Sequence, residues 1–363
     1  MGTIRVVTHL QRRTFLASCT WAGTFGGTFA GAFAATCALG GSAFAPTSWA
    51  ATPPAGAAPR PIFVLNSLDA TVSVIDPLAY KEVQRIPVGK EPHHLYLTPD
   101  EKSLIVANAV GNSLTFIDPI TAQVQRQVNQ ISDPYHLRFS PDMKWFVTAS
   151  NRINHVDIYR WNPTAAQPFE LVKRIDAPRT PSHLFIDSRS TVVYASLQDS
   201  NELMAIDLAS QSVRWKIKTG SLPADVFLLG DDKTLLVGLT GDRVVEVYDV
   251  SVQPGKLVKR IPTGEGAHAF RALGDGRHVL VSNRVANTLS LIDGQTLSVV
   301  ATLPAPGGPD CMEVLADRKT VIVSSRWARK VTWVDIEKRA VIRQVSVGKS
   351  PHGVWTLDHA PRR

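Results

Sequence analysis

From residue 61 onward, short apolar runs alternate with polar, turn-forming clusters, and within each run the apolar residues tend to fall at every second position. Thr71-Val72-Ser73-Val74-Ile75-Asp76, Ser113-Leu114-Thr115-Phe116-Ile117-Asp118 and Thr288-Leu289-Ser290-Leu291-Ile292-Asp293 are three such runs. Period two over five or six residues predicts strands, and the closing Asp predicts a tight turn capped by its carboxylate. The runs come in sets of four. In one set they cover residues 94–98, 103–107, 113–118 and 124–128, with Pro99-Asp100-Glu101-Lys102 as one of the turns.

Each set opens on the same step, a proline or glycine, two short positions, then an apolar run. The copies are Pro92-His93-His94-Leu95, Pro134-Tyr135-His136-Leu137, Pro181-Ser182-His183-Leu184, Pro223-Ala224-Asp225-Val226, Gly266-Ala267-His268-Ala269, Pro309-Asp310-Cys311-Met312 and Pro351-His352-Gly353-Val354. Successive copies are spaced by 42, 47, 42, 43, 43 and 42 residues. A period in the forties built of four strands predicts an all-β fold, a single seven-bladed β-propeller. The first recognisable strands, at 62–65, 71–76 and 82–87, lack an opening run, and the chain ends on an opening run at 352–357 with nothing after it. The two ends therefore predict a shared blade that closes the ring and hides its strand edges. The extra loop at 160–168 accounts for the longest spacing.

The first fifty residues follow a different pattern. Arg12-Arg13-Thr14-Phe15-Leu16 opens a stretch with no charged residue before Arg60. It resembles a twin-arginine export signal, with Ser48-Trp49-Ala50 as the cleavage site. The reading is a signal at 1–50, a flexible proline-rich lead-in at 51–60, the propeller at 61–357 and a tail at 358–363. This implies a periplasmic protein, exported folded and not inserted in the membrane once cleaved. Arg5, Arg12 and Arg13 would leave with the signal, lowering the formal charge of +8 by three. Cys311 would be the one cysteine left, too few for an internal disulfide.

Ile105-Val106-Ala107-Asn108, Val281-Ser282-Asn283, Ser290-Leu291-Ile292-Asp293 and Arg85-Ile86-Pro87-Val88-Gly89 resemble the Tyr-Val-Thr-Asn propeller repeat family over residues 61–357. The resemblance implies the fold. It leaves function open, because that family includes nucleic-acid binders, surface-layer repeats, sugar lactonases and cofactor-bearing propellers. The haem d1 propeller is similar too, but has eight blades.

In such a ring the opening strand of each blade lines the central channel. Aligning the copies puts His94, His136, His183, Asp225, His268 and Cys311 in one column at one mouth. His93, Tyr135, Ser182, Ala224, Ala267, Asp310 and His352 form the column before it. Imidazoles, a carboxylate and a thiol converging on an axis form a transition-metal ligand set, Cu or Zn, or a holder for a haem-like ligand. The same residues could instead brace neighbouring blades. Two positions further on, Arg138 and Glu313 interrupt an otherwise aromatic column and require a partner or channel water. No nucleophile elbow, zinc-protease helix or phosphate loop occurs.

The sequence thus reads as a monomeric periplasmic binding or scaffold propeller, its partner a small ligand, a metal or a periplasmic protein. Two alternatives stand beside it. One is a metal-dependent lactonase or lyase using Glu265 or Asp225. The other is a nucleic-acid binder using Arg284, Arg326, Arg329 and Lys330 with Trp327 as a stacking surface.

Overall fold

The computed structural model describes residues 60–362. The export-signal reading and nearly all of the lead-in lie outside the described residues. Twenty-eight strands, β1 to β28 in chain order, form seven four-stranded antiparallel sheets. One sheet has the order β28 (Pro351–Thr356), β1 (Ile62–Asn66), β2 (Thr71–Asp76), β3 (Lys81–Pro87). The C-terminal strand therefore closes the ring, with Val64 opposite Val354 and Phe63 opposite Trp355. Those two rings pack at 6.2 Å between centroids.

Burial explains the pattern in the sequence. Central strands such as β2 are covered on both faces, because each blade packs against two neighbours. The outermost strands are mostly exposed and charged, as in Lys81-Glu82-Val83-Gln84-Arg85, which discourages pairing with another chain. The repeated Asp residues cap turns as expected: Asp118 Oδ1 accepts the Ile120 and Thr121 N–H groups at 2.9 and 2.8 Å, and Asp76 does the same for Leu78 and Ala79. The extra loop covers 162–168 rather than 160–168, because Arg160 and Trp161 still pair with Glu170 and Phe169, and it is anchored by Phe169, which packs on Phe146 at 4.4 Å.

The inner strands are β4 (Pro92–Leu97), β8 (His136–Phe139), β12 (Pro181–Ile186), β16 (Pro223–Leu228), β20 (Ala267–Ala272), β24 (Pro309–Val314) and β28. Each packs against the next around the axis, and β28 packs against β4. The tail does not hang free. Ala360 N–H donates to Val314 O at 2.8 Å, and His359 bridges Leu315. Among the described residues no helix is long and apolar enough to cross a membrane.

Candidate metal centre

A bulge at the start of every inner strand builds the site. Pro92 pairs with Asn108 and His94 with Ala107, so His93 is an extra residue. In the blades of β12, β16, β20, β24 and β28 the same shift sets two inner residues against one of the second strand. In the β8 blade Tyr135 N–H and His136 share Ala149. Regular alternation would send adjacent side chains to opposite faces; the bulge instead lets both approach the axis. His93 and His94 both touch His352, with ring centroids 3.6 and 4.8 Å away.

The register corrects the sequence alignment in one blade. Ala267 pairs with Asn283, as Pro92 pairs with Asn108 and Pro351 with Asn66. Ala267 therefore holds the proline position, and Gly266 (φ +81°) matches the left-handed residue before it, as Gly308 (φ +70°) does before Pro309. His268 moves to the row of His93, Asp310 and His352. Arg271 moves to the row of Arg138 and Glu313.

Six imidazoles then meet at one end of the channel. His94 lies at 4.5 Å from His136 and 4.9 Å from His183, and those two lie at 4.8 Å from each other. His183 contacts His268 at 5.5 Å. Three sets bring ligand atoms within 4.8 Å of one another: His93, His94 and His352; His94, His136 and His183; and His268, Asp310 and His352. Tetrahedral coordination with metal–nitrogen bonds of about 2.0–2.1 Å needs roughly 3.3 Å between ligand atoms, within reach of a rotamer adjustment.

Hydrogen bonds fix several tautomers. His352 Nδ1 lies 2.8 Å from the His93 carbonyl, which can only accept, so Nδ1 carries the proton and Nε2 a lone pair. His268 Nε2 faces Asp310 Oδ1 at 3.1 Å and donates, leaving Nδ1 as a lone pair. His136 Nδ1 accepts the Leu184 N–H at 3.2 Å, so its proton sits on Nε2. Among the described residues, five buried imidazole nitrogens of this cluster find no hydrogen-bond partner: His93 Nδ1, His94 Nε2, His183 Nε2, His268 Nδ1 and His352 Nε2. Each such orphan costs about 1–3 kcal/mol. A cluster of five is far from the usual satisfaction of buried polar groups.

Burial, followed by neighbouring imidazoles and arginines, holds His94, His136 and His268 well below the usual imidazole range. His352 falls to about 3, from burial despite the opposing Asp310. All six rings are therefore neutral, as coordination requires. Burial would raise Asp310, but Arg284, His352, His268 and Arg326 hold its carboxyl well below the carboxylate range. Its oxygens are engaged by Arg284 at 2.8 Å and Arg326 at 3.0 Å. Two arginines expected on a basic outer face thus turn inward; Trp327 remains exposed beside them.

The other expected residues sit differently. Asp225 accepts the Val226 and Phe270 N–H groups, both at 2.8 Å, and ties neighbouring blades together. Cys311 Sγ lies 3.5 Å from His352 Nδ1, beside the protonated nitrogen, and burial pushes its thiol well up. Glu265 pairs with Arg243 on the rim at 2.7 Å. Arg138 Nε donates to Leu184 O at 3.1 Å and its guanidinium lies over the Tyr96 and Phe185 rings. Glu313 accepts from Arg271 at 2.5 Å and from Arg362. His93, His352 and Asp310 were present in the sequence as the adjacent column, but alternation hid that both columns share the axis.

The sequence matches the YNCE-like beta-propeller family over residues 25–362. No curated protein sequence matches it. Among solved structures, a functionally unknown protein from Desulfotomaculum acetoxidans DSM 771 superposes with a TM-score of 0.71 at 14% identity, covering 83% of this chain and 100% of that one. A periplasmic gluconolactonase from Pseudomonas aeruginosa gives 0.69 at 18% identity, with 82% and 98% covered. The dihydro-heme d1 dehydrogenase NirN gives 0.62 at 15%, with 82% and 75% covered. These likenesses concern the fold.

Proposed function

The chain belongs to the YNCE-like β-propeller family, and from that premise we propose that it is a periplasmic propeller, exported by the twin-arginine route, whose histidine mouth holds a transition metal and presents it to a small ligand. One observation carries this reading: five buried imidazole nitrogens lack a hydrogen-bond partner among the described residues, and their rings fall into overlapping sets whose ligand atoms lie within 4.8 Å of one another. His94 and His352 each belong to two of the three ligand sets, and His94 links the His93–His352 pair to the His136–His183 pair. His93, His136, His183 and His352 contact His94, and His268 lies against His183 and His352. Asp225 and Cys311 act as support, since their contacts lie with the backbone and with a protonated nitrogen. A bare ion fits better than a haem-like macrocycle, because rings packed tilted or edge to face at 3.6–4.9 Å between centroids leave no flat slot between them.

A metal-dependent lactonase or lyase is the second reading. The half-buried Arg284 and Arg326 beside the cluster favour it, because they offer a place for an anionic substrate. Elemental analysis of untagged protein tests the main reading. The expected result is a stoichiometric transition metal, lost in His94→Ala and retained in His278→Ala, whose ring pairs with Asp275 outside the cluster. Metal-free protein that takes up none on incubation would sink it. Aldonolactone hydrolysis that depends on the bound metal would select the second reading.

A further inference from the structure

The chemistry of the donor set goes further than the presence of a metal. We infer that the site is built for a soft monovalent cation, Cu(I) in oxidation state and charge, rather than for Zn(II) or Cu(II). This rests on the metal reading above and adds the ion's charge to it.

The argument is a count of what can neutralise the ion. Every orphan nitrogen in the cluster belongs to an imidazole, a ligand that brings no charge when it coordinates. The acids nearby are already committed. Asp310 is held by Arg284 and Arg326. Asp225 is held by the Val226 and Phe270 N–H groups. Asp133 is held by Arg152 and its backbone N–H. The Cys311 thiol stands beside the wrong nitrogen of His352, 3.5 Å from Nδ1, which donates to the His93 carbonyl. An ion bound here keeps its full charge. The cost of burying it grows with the square of that charge, so a divalent ion is about four times as costly as a monovalent one. A divalent ion would have to bring its own anion. Cu(I) accepts two or three neutral nitrogen ligands without one, and imidazole suits it.

The test is competitive binding on the full exported chain, with Ag(I) as a redox-inert monovalent probe, bicinchoninate-buffered Cu(I), and Zn(II). The expected result is one Ag(I) or Cu(I) per chain, held at least 100-fold more tightly than Zn(II). His94→Gln should lose that binding with an unchanged melting transition, and Cys311→Ser should keep it. Zn(II) binding as tightly, or displacing Ag(I), overturns the monovalent assignment and leaves the metal site standing. Loss of Ag(I) in Cys311→Ser overturns it too, since the thiol would then be the ligand. Binding of none of the three ions overturns the metal reading itself.

Discussion

Two clusters of buried polar groups sit on the same inner strands, three residues apart, and they are finished differently. His268 and Arg271 are both on β20; Asp310 and Glu313 are both on β24. In the second cluster every charge is answered. Arg271 donates to Glu313 at 2.5 Å and to the Ala272, Pro361 and Ala360 carbonyls at 2.8, 3.0 and 2.6 Å, and Arg362 closes the other side of Glu313. In the first, five nitrogens have no hydrogen-bond partner among the described residues, and two of them, His268 Nδ1 and His352 Nε2, are lone pairs. A fold able to satisfy Arg271 so fully has left the histidines open. Satisfaction marks a structural role; its absence in a cluster of metal-binding side chains marks a functional one.

The largest effect should come from breaking the satisfied cluster. Glu313→Ala leaves Arg271 buried without its carboxylate and is expected to cost about 3–5 kcal/mol, read by urea denaturation. A loss below 1 kcal/mol would mean that the network is ornamental and the comparison empty. Removing residues 358–363 takes away Arg362 and two carbonyl acceptors of Arg271. A smaller loss of about 2–3 kcal/mol is expected, and an unchanged midpoint would show that the tail is not part of the network.

The pH dependence separates the two clusters. The histidines are depressed in the folded state, so their neutral form contributes stability that is complete above the unfolded pKa of about 6.5 and declines as pH falls below it. Each contributes up to about 1.4 kcal/mol per pH unit. Glu313, also depressed, keeps its contribution until pH falls below about 4.3. Between pH 6.5 and 5 the slope should therefore belong to the histidines, and His94→Gln should reduce it by about one proton in denaturation midpoints measured across that window. A flat profile would contradict the burial of the row.

The smallest effect is expected for the residue proposed as most functional. His94→Ala removes a nitrogen that bonds to nothing in the protein, so stability should change by no more than about 1 kcal/mol while metal binding is lost. A cost like that of Glu313→Ala would make His94 a brace.

The fold was legible because the ring repeats its grammar: the opening step recurs at near-constant spacing, and an end without an opening strand meets an end that has only one. The site was half legible. His94, His136 and His183 share a column in the sequence and a cluster in space. His268 was placed one position late because Gly266 resembles the proline step, whereas it is the left-handed residue before it. Counting sixteen residues back from Asn283, as Pro92 lies before Asn108, would have found Ala267. His93 and His352 read as the column beside the ligand set, because a strand alternates and a bulge does not. What holds a carboxylate cannot be read from spacing: Asp225 is tied to backbone N–H groups and Asp310 to two arginines.

The most direct measurement is a crystal structure of the protein after loading with Ag(I), read by anomalous scattering at the histidine mouth. The account predicts one peak per chain within bonding distance of His94 Nε2, with only imidazole nitrogens as protein ligands. Ordered waters bridging the five nitrogens, with no peak among them, would contradict it.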